Sequence, residues 1–228
     1  MLTALVLVAC GGDSGPPALT PGATLNPADF KPVIDNPLFP LSSLGAKVFD
    51  GEEKDARTGE VVKIRLKSRV LAETTTLANI SVLVLEENDY KNGELVESTL
   101  DYFAQHKDGS VYYFGERVDD YEGGKVVGHK SQWLAGEGEN QPGVYMARDP
   151  QLGQTYEQEK APGVAEDKWK VVAVNQNVTT PAGAFAGCIK TEDFSPLDSV
   201  TEFKYYCPGV GLVREEFPEG HVDLISYK

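Results

Sequence analysis

ISVLVLEENDYKNGELVESTLDYFAQHKDGSVYYFGERVDDYEGGK, residues Ile80 to Lys125, decides the fold. It opens on a continuous apolar, β-branched run, Ile80 to Leu85. Three turn dipeptides then punctuate it: Asn92-Gly93, Asp108-Gly109 and Gly123-Gly124. A type I′ turn places two residues at positive φ, and Asn-Gly, Asp-Gly and Gly-Gly tolerate this best. The stretch therefore reads as sequential antiparallel hairpins.

The same signature continues on both sides. Val61 to Leu71 alternates, with Val62, Ile64 and Leu66 against Lys63, Arg65 and Lys67. Later strands are expected at Lys168–Val174, Phe185–Phe194, Val200–Cys207, Gly211–Phe217 and Val222–Tyr227. No helix-length stretch of 3.6-residue period interrupts them. About ten or more consecutive strands must curl, close or split. The expected class is all-β: one large curved antiparallel β-meander, half-barrel or barrel-like, with a two-sheet sandwich as the alternative. Ala135 to Gln154 is rich in Gly and Pro and reads as a long loop across one end or face of the sheet.

Two-residue turns fix register, so facing residues can be counted. The count places Asp101 opposite Glu116, and Glu116 opposite Ser131, with His129 one step along the strand. Val82, Val84, Phe103, Phe114 and Trp133 are expected on the same face. The opposite face carries Leu83, Leu85, Leu100, Tyr102, Ala104 and Tyr113, so both faces should be partly covered. Two facing carboxylates repel. Protonation, a bridging cation or a neighbouring Lys or Arg relieves the repulsion. Asp101, Glu116, Ser131 and His129 are therefore the catalytic candidates, since paired carboxyls carry acid–base work in glycosidases. Asp101, Glu116 and His129 are the metal-ligand candidates. The plainer reading is a solvated rim of the sheet. Glu52-Glu53, Glu86-Glu87 and Asp119-Asp120 read as solvated edges. Cys188 and Cys207 face each other if Phe194 faces Thr201, a placement that suits a disulfide.

The N-terminus reads as an address. Met1 to Ala9 is an apolar signal segment, and Leu7-Val8-Ala9-Cys10 resembles the bacterial lipobox. Cys10 is then the lipidated residue and anchors the chain to a membrane. Residues 10–32, rich in Gly, Pro, Ser, Thr and Ala, form the expected tether, and 33–228 a single β domain. Gly11 rather than Asp after the cysteine favours the outer membrane. Gly12-Asp13-Ser14-Gly15 copies a protease nucleophile motif, but a linker offers no rigid scaffold for a triad.

Composition excludes several classes. The 228 residues carry 35 acidic and 21 basic side chains, a formal charge of −14. Nucleic-acid phosphates require the opposite sign. Three cysteines are too few for a disulfide scaffold or a four-Cys zinc site. No phosphate loop or EF-hand spacing is present, so no cofactor is expected.

Several strings resemble an uncharacterised family of bacterial secreted and lipid-anchored β-rich proteins. They are Asn36-Pro37-Leu38-Phe39-Pro40-Leu41, Asp101-Tyr102-Phe103-Ala104-Gln105, Tyr113-Phe114-Gly115-Glu116, Pro181-Ala182-Gly183-Ala184-Phe185 and Tyr205 to Val213. The chain departs at Cys207, where the family pattern has Ala. The resemblance implies a secreted β domain and brings no catalytic residues. The leading functional expectation is a non-catalytic envelope module that binds a hydrophobic small molecule, a lipid or a protein partner. The alternatives are a hydrolase using Asp101 and Glu116, and a purely structural envelope protein.

Overall fold

The computed structural model describes residues 25–55 and 57–228. The signal segment, Cys10 and the tether as far as residue 24 lie outside the described residues. The strands are β1 (Phe30–Lys31), β2 (Ala46–Lys54), β3 (Val61–Leu77), β4 (Ile80–Lys91), β5 (Glu94–His106), β6 (Val111–Glu122), β7 (Lys125–Gly128) and β8 (Trp133–Leu134). They continue with β9 (Gln141–Met146), β10 (Thr155–Glu157), β11 (Glu159–Lys160), β12 (Lys168–Thr180), β13 (Gly183–Phe194), β14 (Thr201–Cys207), β15 (Gly211–Phe217) and β16 (Gly220–Tyr227).

All sixteen belong to one antiparallel sheet. Its order is β10-β12-β13-β14-β15-β16-β2-β3-β4-β5-β6-β9-β11, with β1 beside β5 and β7 and β8 beside β6. The two ends of this path, β10 and β11, are separated in sequence by Gln158 alone. The sheet therefore curls until its ends meet in one segment, a nearly closed barrel with a single seam. Trp169 Nε1 on β12 donates to Val144 O on β9 at 2.8 Å and ties the two sides of that seam. Closure removes most of the unpaired edge that a long open sheet would present.

Local chemistry explains the strands. Asn92 and Gly93 have φ of 51° and 88°, as the turn between β4 and β5 requires. On β3, Ile64 is buried while Lys63, Arg65, Lys67 and Arg69 are exposed. Lys63 pairs with Glu52, Arg65 with Asp50 and Arg69 with Glu86, each at 2.5 Å. This ladder gives the outside of β2–β4 matched charges.

Two expectations need correction. Ala135 to Gln154 is not all loop: β9 lies within it and pairs with β6. Its Gln-Pro-Gly-Val-Tyr-Met sequence hides the strand, because Pro and Gly usually end one. The fold also begins before residue 33. Phe30 on β1 pairs with His106, and its ring lies 5.6 Å from Tyr112 and 5.7 Å from Phe114. An apolar ring that covers the outer face of β6 brings its segment into the domain.

The segment that follows lies against the barrel. Ile34, Leu38, Phe39 and Leu41 are buried. Asn36, also buried, donates to Gly109 O at 3.0 Å and Ala147 O at 3.2 Å and accepts from Leu38 N at 2.9 Å. Gln105 Oε1 accepts from the backbone N–H groups of Asp35 and Asn36. These contacts give the Asn-Pro-x-Phe-Pro-Leu string a structural role. A second apolar cluster gathers Phe49, Val178, Val213, Val222 and Leu224 with Cys188 and Cys207, whose sulfurs form a disulfide at 2.01 Å.

Candidate functional site: an acidic lumen beside an aromatic wall

The two faces of β4, β5 and β6 have different fates. One carries Val82, Val84, Tyr102, Tyr112 and Phe114, all buried and packed outward under Phe30 and its neighbours. The other points into the curl. Its cavity is lined from β4–β6 and, across the interior, by Lys204 of β14. Strands so far apart in the sheet order can share a cavity only inside the barrel.

The lumen has two joined parts. The more apolar part has a volume of about 230 Å³, with Phe39, Leu41, Phe49, Leu66 and Leu85 on one side and Lys47, Ser68 and Glu215 among its polar walls. The acidic part, of about 170 Å³, is walled by Glu97, Asp101, Glu116 and Glu159 together with Phe103 and Tyr113. Glu87, Asp89, Tyr145 and Lys204 line both. The aromatic rings touch one another: Phe103 and Tyr113 stack at 4.9 Å, Tyr145 lies 4.9 Å from Phe103, and Phe39 lies 4.5 Å from Tyr145.

The expected pairing of Asp101 with Glu116 is present. It arises from two departures that cancel. The turn after β5 holds three residues, not two, because His106 N donates to Ser110 O. A bulge between Asp101 and Phe103 then restores the count. Phe103 consequently faces Tyr113 rather than Phe114. An irregularity between Asp120 and Tyr121 and a second one-residue shift between β7 and β8 together place Trp133, not Ser131, opposite Glu116. Gly115 makes this possible: at φ 110° it lets Trp133 O approach to where a Cβ would clash at 2.2 Å.

Asp101 is buried and doubly held. Tyr113 Oη donates to its Oδ1 at 2.7 Å, and Thr99 Oγ1 to its Oδ2 at 2.9 Å. Burial raises its pKa to about 6, against the lowering effect of these two bonds. Glu116 is pushed up to about 9 by burial and then by Asp101. Ser131 Oγ donates to Lys130 O at 2.6 Å and lies near enough to Glu116 to lower its pKa slightly. His129 is not part of this group. It is exposed on the rim, its Nδ1 3.0 Å from Asp119 and 2.7 Å from Val118 O. A metal site joining His129 to Asp101 and Glu116 is therefore not formed. Among the described residues no three His, Cys, Asp or Glu side chains are grouped to hold a metal ion. Trp133 Nε1, buried beside Tyr113, has no hydrogen-bond partner among the described residues.

The residues that sequence reasoning missed are Glu87, Asp89, Glu97, Glu159, Lys204 and Glu215. Glu86-Glu87 read as a solvated edge; Glu86 pairs with Arg69 on the outside, whereas Glu87, also accessible, lines the lumen. Burial raises Asp89 to about 7, and Glu159 and Glu215 to about 8. Glu87 is raised well above the carboxylate range by burial, then by Asp101 and Asp89. Glu87 keeps much of its surface accessible and lines both parts of the lumen. Lys204 is spent on the far wall, 3.3 Å from Asp193, 3.8 Å from Glu202 and 3.9 Å from Glu215. Lys47 donates to Leu212 O at 3.1 Å and is lowered to about 8 by burial. For Glu87, Asp89 and Glu97 the cue in the sequence was the acid density of 86–101, which does not distinguish an interior face from an exterior one; Glu159, Lys204 and Glu215 had none.

No family model matches the chain, and no curated protein matches it. Two solved structures are similar in outline. One, from Bacteroides fragilis, is provisionally described as an exported protein with a YmcC-like fold. It is 16% identical, with a TM-score of 0.45, over 80% of this chain and 94% of its own. The other, from Parabacteroides distasonis, is provisionally described as a lipoprotein. It is 16% identical, with a TM-score of 0.41, over 81% of this chain and 95% of its own.

Proposed function

We propose that this is a lipid-anchored protein of the bacterial envelope, tethered through Cys10, that holds an amphipathic small molecule in its barrel without chemistry. The observation that carries the reading is the lumen, about 230 Å³ on its apolar side and open to polar groups on the other. Concave sites with apolar walls and a few convergent polar groups are where small ligands bind. The lipobox-like Leu7-Val8-Ala9-Cys10 supports the anchor, and Gly11 favours the outer membrane. Native mass spectrometry of protein purified from an envelope fraction tests the reading. A discrete mass that leaves on denaturation is the expected result. A bare polypeptide mass, with no uptake of an environment-sensitive naphthylamine dye, overturns it.

One observation favours a second reading. Asp101 at about 6 and Glu116 at about 9 have the separated proton affinities of an acid–base pair. Under a hydrolase reading, Asp101→Asn and Glu116→Gln each abolish turnover of a glycoside or ester while the fold survives. Retained turnover in either variant removes that reading.

A further inference from the structure

The carboxylates that β4 to β6 turn into the lumen have no cation in ion-pair contact among the described residues. Glu87 and Asp89 accept no hydrogen bond and form no ion pair among the described residues, although both look into the lumen. Glu97, Asp101 and Glu116 likewise form no ion pair with a Lys or Arg among the described residues. Lys204 is bound to the carboxylates of β13, β14 and β15. The wall beside these acids is aromatic, from Phe103, Tyr113 and Tyr145. Phe103 and Tyr113 are buried and stacked, but Tyr145 is only half-buried, and carboxylates beside an accessible aromatic ring suit an organic cation. A bare metal ion needs convergent ligands instead, and none are grouped that way.

Resting on the lumen reading above, we propose that the acidic end receives the ammonium head of an organic cation. Its apolar tail runs toward Phe49, Leu66 and Leu85. The head displaces the protons that burial, and then like-charge repulsion, keep on the wall. The groups that face it are Glu87 and Asp89 from β4, Glu97 and Asp101 from β5, and Tyr113 and Glu116 from β6. Tyr145 faces it from β9 and Glu159 from β11. Lys47 on β2, Lys204 on β14 and Glu215 on β15 form the far wall, and Asp193 on β13 and Glu202 on β14 lie within ion-pair distance of Lys204. Asp89, Glu116, Glu159 and Glu215 all titrate above the ordinary carboxylate range. Deprotonation makes the lumen more negative, so affinity for a cation rises with pH between roughly 6 and 9.

The test uses three probes with the same octyl tail: octyltrimethylammonium, octanol and octanoate. Each is titrated calorimetrically into the full chain carrying Cys10→Ser. The cation is expected to bind about ten-fold or more tightly than the other two, with release of protons measured by changing the buffer. Glu87→Gln with Asp89→Asn should reduce cation binding to that of octanol and leave octanol unchanged, which also reports that the fold is intact. Equal binding of cation and octanol overturns the head-group inference while the lumen reading stands. Preference for octanoate does the same and assigns the head to Lys47 or Lys204. Binding of none of the three overturns the lumen reading and this inference with it.

Discussion

Glu86 and Glu87 are neighbours on one strand and live in different chemistry. Glu86 points outward, where Arg69 grips both its oxygens at 2.5 and 3.0 Å and holds its pKa below the usual value. Glu87 points into the barrel, where burial and other acids push it the opposite way. The contrast extends over the whole of β4 to β6. The outer face is filled with apolar side chains, or matched in charge. The inner face borders a cavity and carries acids with no Lys or Arg in ion-pair contact among the described residues. A protein optimised only for stability would pair or remove such groups. An interior with unpaired charge and open volume is instead what a polar ligand would complete.

The largest expected effect tests whether the two faces differ in packing. Phe114→Ala empties a fully buried outer position and is expected to cost about 3–5 kcal/mol in chemical denaturation. Leu66→Ala trims a half-buried wall of the lumen and should cost clearly less. Equal losses would mean that the inner face is packed as tightly as the outer one.

The next effect concerns charge. Glu116 has a folded pKa of about 9, above its unfolded value near 4.5. A carboxyl raised on folding is protonated in both states at low pH, so it costs nothing there. Stability is then lost as pH rises from about 4.5 through about 9, where the unfolded state gives up its proton first. The thermal midpoint of the empty protein should therefore fall across that window. Glu116→Gln should flatten the decline and stabilise the protein at pH 9. A midpoint that rises over the same range would place the inner acids in a solvated, unstrained setting.

Asn36 supplies the intermediate case, a buried polar side chain with its bonds made. Asn36→Ala leaves Gly109 O, Ala147 O and the Leu38 N–H short of a partner and should cost about 1–3 kcal/mol. Its effect should be independent of pH from 5 to 9, unlike that of the lumen acids. The smallest effect belongs to Glu86→Gln. Its Arg69 partner is exposed, and solvent-exposed ion pairs are weak. A thermal midpoint indistinguishable from the parent is expected, and a clear loss would mean that the outer ladder matters as much as the inner acids.

Much of this was legible from single strands and turns. The alternation of β3, the Asn92-Gly93 turn and the coverage of both faces of β4 to β6 follow from local pattern. So does the Asp101–Glu116 pairing, although a longer turn and a bulge had to cancel to preserve it. One irregularity was not legible. The shift between Asp89 and Tyr90 moves the register of β4 on β5 by one residue. Leu85 then faces Asp101 where Val84 was expected, and Glu87 and Asp89 swing to the same side as Asp101. Because side chains alternate with period two, that single residue exchanges the whole face.

The sequence by itself determined an all-β chain, its main turns and which residues alternate within a strand, because these depend on φ preferences and on neighbours two positions apart. Only the tertiary structure decided which alternating set became the interior. Bulges bend and twist a strand, and their positions answer to the curvature of a closing sheet. That closure is completed by Thr155 to Lys160, more than fifty residues beyond Asp101 in the chain. It converted a row of acids that reads as surface into the wall of a lumen.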